Sequence, residues 1–292
     1  MCIRDRSSGV SSIVSNTLAF AALKEDGSVV TWGYGRDGGD SSSVASSLTN
    51  VTSIVSSSGA FAALKEDGSV VTWGWDNNGG DSSSVDLSSG VSSIVGAGYA
   101  FAAIKEDGSV VTWGPSSEGG DSSSVDLSSG VSSIVGTGSA FAALKSDGSV
   151  VTWGNSASGG DSSSVESSLT SGVTSIISNS SAFAALKEDG SVVTWGYADY
   201  GGDSSSVASS LTNGVTSIVS NGLAFAALKS DGSVVTWGGA YYGGDSSSVA
   251  SSLSSGVSSI VSSSKAFAAL KSDGSVVTWG DSSHGGDSSS VD

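Results

Sequence analysis

Cysteine, proline, methionine and histidine occur once each in this 292-residue chain, as Cys2, Pro115, Met1 and His284. A single thiol forms no internal disulfide, so cysteine usage carries no information about redox compartment. One histidine cannot build an imidazole metal cluster or supply a Ser-His-Asp arrangement with any redundancy. His284 therefore reads as a surface loop residue. Basic side chains are scarce too: 11 Lys and Arg stand against 28 Asp and Glu, a net charge of −17. That balance repels phosphate backbones and anionic bilayers, which excludes nucleic acid and membrane insertion as expected partners. Hydrophobic residues make up 37% of the chain but form no run long enough to span a bilayer. The opening MCIRDR, residues 1–6, matches nothing else in the chain and lacks the apolar core of a signal peptide; it reads as a non-repeat leader of artefactual origin, a sequence-assembly scar. Residues 7–292 read as a single domain.

What the chain has in abundance is repetition. The dipeptide WG falls at Trp32, Trp73, Trp113, Trp153, Trp195, Trp237 and Trp279, in steps of 41, 40, 40, 42, 42 and 42 residues. A fixed period near forty marks a supersecondary unit that cannot bury its own apolar surface and must stack on its neighbours. Within a copy, VSSIV (10–14), AFAALK (19–24), SVVTW (28–32) and the weaker DSSSV (40–44) are short segments between turn residues, read as four strands. The Asp26-Gly27 pair between two apolar runs predicts a tight hairpin, because glycine tolerates positive φ and aspartate bonds nearby backbone. Reversals throughout are expected from the 42 glycines together with Asp and Ser, with one proline in the chain.

The middle strands are apolar on both faces: Phe20 and Ala22 point one way, Ala21 and Leu23 the other. A sheet covered on both sides is expected, which four-stranded blades packed around an axis provide. The fold class this predicts is all-β, a seven-bladed β-propeller of four-stranded antiparallel blades. A β-solenoid with forty-residue coils and an internal hairpin fits less well, and the Val, Ile, Thr and Gly content disfavours helical repeats.

The stretch IVSNTLAFAALKEDGSVVTWGYGRDGG (13–39) resembles the repeat of the RCC1 family, regulator of chromosome condensation, in which an apolar strand, a D-G turn and a strand ending in W-G recur. The resemblance covers nearly all of the chain after Arg6 and implies a seven-bladed propeller of a bacterial type. Where that family commonly has histidine, this chain has Ala19, Ala60, Ala100 and their equivalents, and its G-Q-L-G stretch is replaced by G-G-D-S-S-S. No insert interrupts the repeat, so nucleotide exchange on a small GTPase is not expected. Secreted bacterial members that grip enzymes with propeller-face loops imply an extracellular or cell-surface location and a protein-binding role.

Functional residues are sought where the copies differ. Between WG and GGD lie four unlike residues per copy: YGRD (34–37), WDNN (75–78), PSSE (115–118), NSAS (155–158), YADY (197–200), GAYY (239–242) and DSSH (281–284). Five of six tyrosines and the only tryptophan outside WG fall here. Aromatic side chains on loops offer large rigid contact area, the usual anchor of a recognition surface. The ligand-binding candidates are Tyr34, Arg36, Asp37, Trp75, Asp76, Asn77, Glu118, Tyr197, Asp199, Tyr200, Tyr241, Tyr242, Asp281 and His284, recognising a protein or a carbohydrate. Drift in unconstrained loops is the competing account of the same variability.

A second variable triplet, NTL at 16–18 or AGY at 97–99, could line another part of the surface. The aspartates after Gly-Gly, such as Asp40 and Asp81, are expected to bond turn backbone, since no D-x-D-x-D-G loop frames them for calcium. No cofactor, metal or catalytic residue is expected, and the chain reads as a monomer. A spacer or adhesion module within a larger surface protein is the alternative function. A lyase or glycosidase using paired loop carboxylates is a further, enzymatic one.

Overall fold

Each copy begins with its turns. The Gly27 N–H bonds the Lys24 carbonyl at 2.9 Å, and the Lys24 N–H bonds Ser28 O at 2.9 Å. Gly27 itself sits at φ +74°. The hairpin therefore turns at Glu25 and Asp26 with Gly27 following in the left-handed region, rather than on the Asp-Gly pair as a two-residue loop. Asp26 Oδ1 accepts from both the Ser28 hydroxyl, at 2.6 Å, and the Ser28 amide, at 3.0 Å. Those two bonds hold its carboxyl below the usual aspartate range.

The computed structural model describes residues 9–290; the leader expected at 1–6 and Cys2 lie outside them. Among the described residues there are seven three-stranded antiparallel sheets. Their count and antiparallel order match the expected all-β, seven-bladed propeller. The described chain divides in sequence into two compact units, up to Gly130 and from Val131 onward. The first holds β1 (Val10–Ser15), β2 (Ala19–Lys24) and β3 (Val29–Gly33); β4 (Val51–Ser56), β5 (Ala60–Lys65) and β6 (Val70–Gly74); and β7 (Val91–Gly96), β8 (Phe101–Lys105) and β9 (Val110–Trp113). The second holds β10 (Val131–Gly136), β11 (Ala140–Lys145) and β12 (Val150–Gly154), then β13 (Val173–Ser178), β14 (Ala182–Lys187) and β15 (Val192–Gly196). It continues with β16 (Val215–Ser220), β17 (Ala224–Lys229) and β18 (Val234–Gly238), and closes with β19 (Val257–Ser262), β20 (Ala266–Lys271) and β21 (Val276–Gly280). No described helix is long and apolar enough to cross a membrane.

The expected fourth strand is corrected. DSSSV does not join a ladder; in the first copy Ser42–Val44 is a 3₁₀ turn. Asp40 Oδ1 accepts the Ser42 amide at 2.9 Å, and the same bond recurs from Asp81 to Ser83 and from Asp203 to Ser205. An aspartate side chain that captures the backbone two residues on bends it away from extended pairing. The aspartates after Gly-Gly are thus turn-formers, with carboxyls held low first by these amides.

Packing within each unit follows one rule. Ala19, Ala21 and Leu23 of one sheet meet Ile54, Phe61, Ala63 and Trp73 of the next. The same set recurs between the second and third sheets, and across the four sheets of the second unit. Alanines face the aromatic rings because the sheets approach too closely for larger side chains on both faces. Within a sheet, each phenylalanine lies opposite its tryptophan, and the rings stack with centroids 5.2 to 5.4 Å apart. Between sheets, the indole N–H of Trp73 donates to Gly38 O at 3.0 Å, and Trp237 donates to Gly201 O at 3.1 Å. A Cβ on Gly38 would stand 2.6 Å from the Phe61 ring, which is why no side chain fits there.

Candidate functional site

The seven variable stretches share one backbone. Each begins with an extended residue, continues as a three-residue 3₁₀ turn, and ends at a glycine in the left-handed region, as at Tyr34, Gly35–Asp37 and Gly38. Tyr34 N donates to Leu18 O, and its own carbonyl accepts from the amides of Asp37 and Gly39. Because the backbone satisfies its own bonds, the side chains are free to differ from copy to copy.

A latch across the turn was not foreseen. Asn16 Nδ2 donates to Asp37 O at 2.6 Å while its Oδ1 accepts the amides of Leu18 and Ala19. Asn179 and Asn221 repeat this on the carbonyls of Tyr200 and Tyr242. Ser57, Thr137 and Ser263 use a hydroxyl on Asn78, Ser158 and His284 instead. The leading residue of the second variable triplet is therefore a structural clasp, not a surface contact. Its signal in the sequence was a small polar residue at a fixed distance before AFAALK in six of seven copies; only Ala97 departs.

The turns place the candidate side chains unequally. Tyr34 and Tyr197 are exposed, and Tyr241 is the most open at 79%. Arg36, Asp76, Asn77, Asp199 and His284 are exposed as well. Asp37 is buried, at 7%, and so lies away from any presented surface. Trp75, Glu118, Tyr200, Tyr242 and Asp281 are half-buried. Tyr197 and Tyr200 pack at 4.8 Å between centroids, and Tyr241 meets Tyr242 edge-on at 6.4 Å. Tyr242 also packs against the core between the last two sheets, so replacing it would cost stability as well as surface.

The first and second copies join two variable turns into one feature. The Arg36 guanidinium carbon sits 3.6 Å above the Trp75 ring, a cation–π contact. Beneath it a groove of 580 Å³ is lined by Arg36, Asp40, Thr72, Trp75, Asp76 and Asp81. Equivalent grooves in the second unit, of 470 and 430 Å³, are lined by repeat residues such as Val192 and Val276, with no variable aromatic.

At the last turn Asp281, Ser283 and His284 come together. The Ser283 hydroxyl donates to Asp281 Oδ1 at 2.5 Å, His284 Nδ1 lies 2.9 Å from that hydroxyl, and it lies 3.1 Å from Asp281 Oδ2. Nucleophilic catalysis requires the ring to stand between serine and carboxylate, with one nitrogen for each. Here a single nitrogen touches both and the serine bonds the carboxylate directly, so the cluster is a turn cap. Its bonds, the serine hydroxyl first, pull the Asp281 carboxyl down to about 2. Among the described residues no group of three or more His, Cys, Asp and Glu is gathered as metal ligands would be.

The class these features define is an all-β repeat protein that carries variable turns on an invariant sheet frame. No protein-family model matches the chain, and no curated protein matches it. Solved structures similar to it include Prp20p of Saccharomyces cerevisiae, at 14% identity over 78% of this chain and 71% of that one, with a TM-score of 0.48. The ectodomain of the receptor kinase CR4 from Physcomitrella patens is similar at 14% identity over 94% and 74%, TM-score 0.47. The computationally designed Ika8 protein is similar at 14% over 94% and 84%, TM-score 0.42. Identities and scores this low place the chain in no family.

Proposed function

We propose that the chain is a non-enzymatic binding scaffold that recognises a protein partner through its variable aromatic and acidic turns. One observation carries the reading: an identical, self-satisfied backbone turn recurs in every copy while its side chains differ, and those side chains include the exposed Tyr34, Tyr197 and Tyr241. Exposed aromatic rings on a rigid frame bind with little loss of entropy. The net charge of −17 and the carboxylates Asp76, Asp199 and Glu118 suit a basic partner surface, drawn in by long-range attraction.

A carbohydrate is the second ligand for the same turns. Sugar rings stack on a bare aromatic face, and Arg36 already covers one face of Trp75. Lys265 likewise stands 5.7 Å from the Tyr242 ring. That occupancy favours protein over glycan.

The test is a screen of the intact chain against basic proteins and a glycan array, followed by Tyr34→Ala, Trp75→Ala and Tyr241→Ala in any pair found. Each replacement is expected to weaken binding roughly ten- to a hundredfold without lowering the melting temperature. Affinity unchanged in all three variants would remove the turns as the binding surface, and turnover of a polysaccharide would replace the scaffold reading with an enzymatic one.

A further inference from the structure

Arg36 is the one arginine among residues 9–290, and Trp75 is the one tryptophan outside the WG pairs. The two stand in consecutive variable turns, and the guanidinium carbon of the first lies 3.6 Å from the centre of the second's ring. Three carboxylates, Asp40, Asp76 and Asp81, line the groove beneath. Among the described residues Arg36 forms no ion pair with any of them. The cation rests on the ring face while the acids around it stay uncompensated.

Backbone bonds hold this seat in place. Trp75 N donates to Gly59 O at 2.9 Å, and Trp75 O accepts from the amides of Asn78 at 2.8 Å and Gly80 at 3.0 Å. Asp40 and Asp81 are fixed through Oδ1, which accepts the amides of Ser42 and Ser83 at 2.9 and 2.8 Å. An ionised carboxylate accepts through both oxygens, so each retains capacity for an incoming donor. An indole face beside fixed negative charge suits a flat cation, because the ring quadrupole and the carboxylates attract the same sign. Arg36 is exposed, so a cation that also reaches the acids can take its place. The second-unit groove at Val192 carries Asp203 without any ring in its lining.

Building on the protein-binding role proposed above, we propose that this groove seats an arginine side chain of a basic protein partner, with Arg36 as its placeholder in the free chain. The incoming guanidinium stacks on Trp75 and turns its N–H fork toward Asp40, Asp76 and Asp81, the acids that Arg36 leaves unpaired. Arginine fits this seat better than lysine, since its cation is planar, weakly hydrated and presents five donors in a rigid fork, whereas an ammonium is a compact and strongly hydrated point charge. Arg36 and the arriving group compete for one ring face, so binding is an exchange of one cation for another. Removing Arg36 therefore opens the seat, and removing the ring abolishes it.

The experiment is calorimetric titration of the intact chain, Trp75→Ala and Arg36→Ala with end-blocked hexa-arginine and hexalysine peptides at low ionic strength. Both peptides carry the same charge, so attraction to a chain of −17 acts on them alike. Wild type is expected to bind hexa-arginine roughly threefold or more tightly than hexalysine, and Trp75→Ala to lose that preference. Arg36→Ala should widen the preference roughly three- to tenfold by uncovering the ring. Equal affinity for the two peptides in wild type, a preference that survives in Trp75→Ala, or one no wider in Arg36→Ala would each overturn the proposal. Should Trp75→Ala lower the melting temperature, Trp75→Leu keeps apolar bulk without a π face and is held to the same outcome. Tyr34→Ala and Tyr241→Ala, measured on a captured partner, judge the scaffold separately: no arginine preference, with those two variants still weakening capture, refutes the seat and leaves the scaffold standing.

Discussion

Gly201→Ala and Gly285→Ala form a matched pair that separates backbone strain from packing. Both glycines have φ +98°, so either alanine incurs the left-handed penalty, about 1–2 kcal/mol. At Gly201 the new Cβ would also lie 2.7 Å from Phe225 Cδ2 and 3.1 Å from Trp237 Cδ1. Overpacking of that kind costs about 1–3 kcal/mol more. Displacing the Gly201 carbonyl from the Trp237 indole would add about 1 kcal/mol. The expected losses are thus about 3–6 kcal/mol for Gly201→Ala and about 1–2 kcal/mol for Gly285→Ala. Single copies of a repeat protein can open separately, so denaturant unfolding should be paired with amide exchange in β17 and β18 and in β20 and β21, which reads each copy separately. Equal losses at the two positions would refute the view that the inter-sheet glycine is a seat for the phenylalanine ring.

The clasp predicts a loss and a gain: Asn179→Ala should cost about 1–2 kcal/mol, and Ala97→Asn should raise the melting temperature by supplying the one clasp that is missing. Either change leaving the melting temperature where it was would place the turn's order elsewhere. The Asp281 carboxyl is held at about 2, below its unfolded value. Its contribution is therefore present above pH ~4 and lost as the pH falls toward 2; Asp281→Asn should flatten acid unfolding in that window, and an unchanged acid profile would contradict the assignment. Arg36→Met should alter the fluorescence of Trp75 without changing stability by more than about 1 kcal/mol, since the cation–π pair is partly exposed.

Much of the fold was legible because its signals are local and repeated. The three strands, the faces of Phe20 and Leu23, and the turn near Asp26 follow from residue type and order alone. The expected fourth strand failed at a residue whose competing bond is equally local: Asp40 reaching the Ser42 amide leaves that segment no backbone to offer a ladder. Of the candidate site, the seven variable turns were found by contrast with their invariant surroundings. Which of their side chains face solvent was not, because Asp37 and Tyr241 occupy the same kind of turn and differ only in what packs over them. The clasp at Asn16 was read as variable surface because Asn, Ser and Thr look unlike one another, though each supplies one side-chain donor to the same carbonyl.

The amino-acid order by itself determined the repeat, its period, the strand positions and the two-sided apolar character of each sheet, since these depend on chemistry within a few residues of one another. Only the tertiary structure decided which glycine meets which ring and where Arg36 lies over Trp75. Seven near-identical segments carry identical local instructions. Contacts between one copy and the next join residues far apart in sequence, such as Trp73 and Gly38, and no residue within a single copy records them.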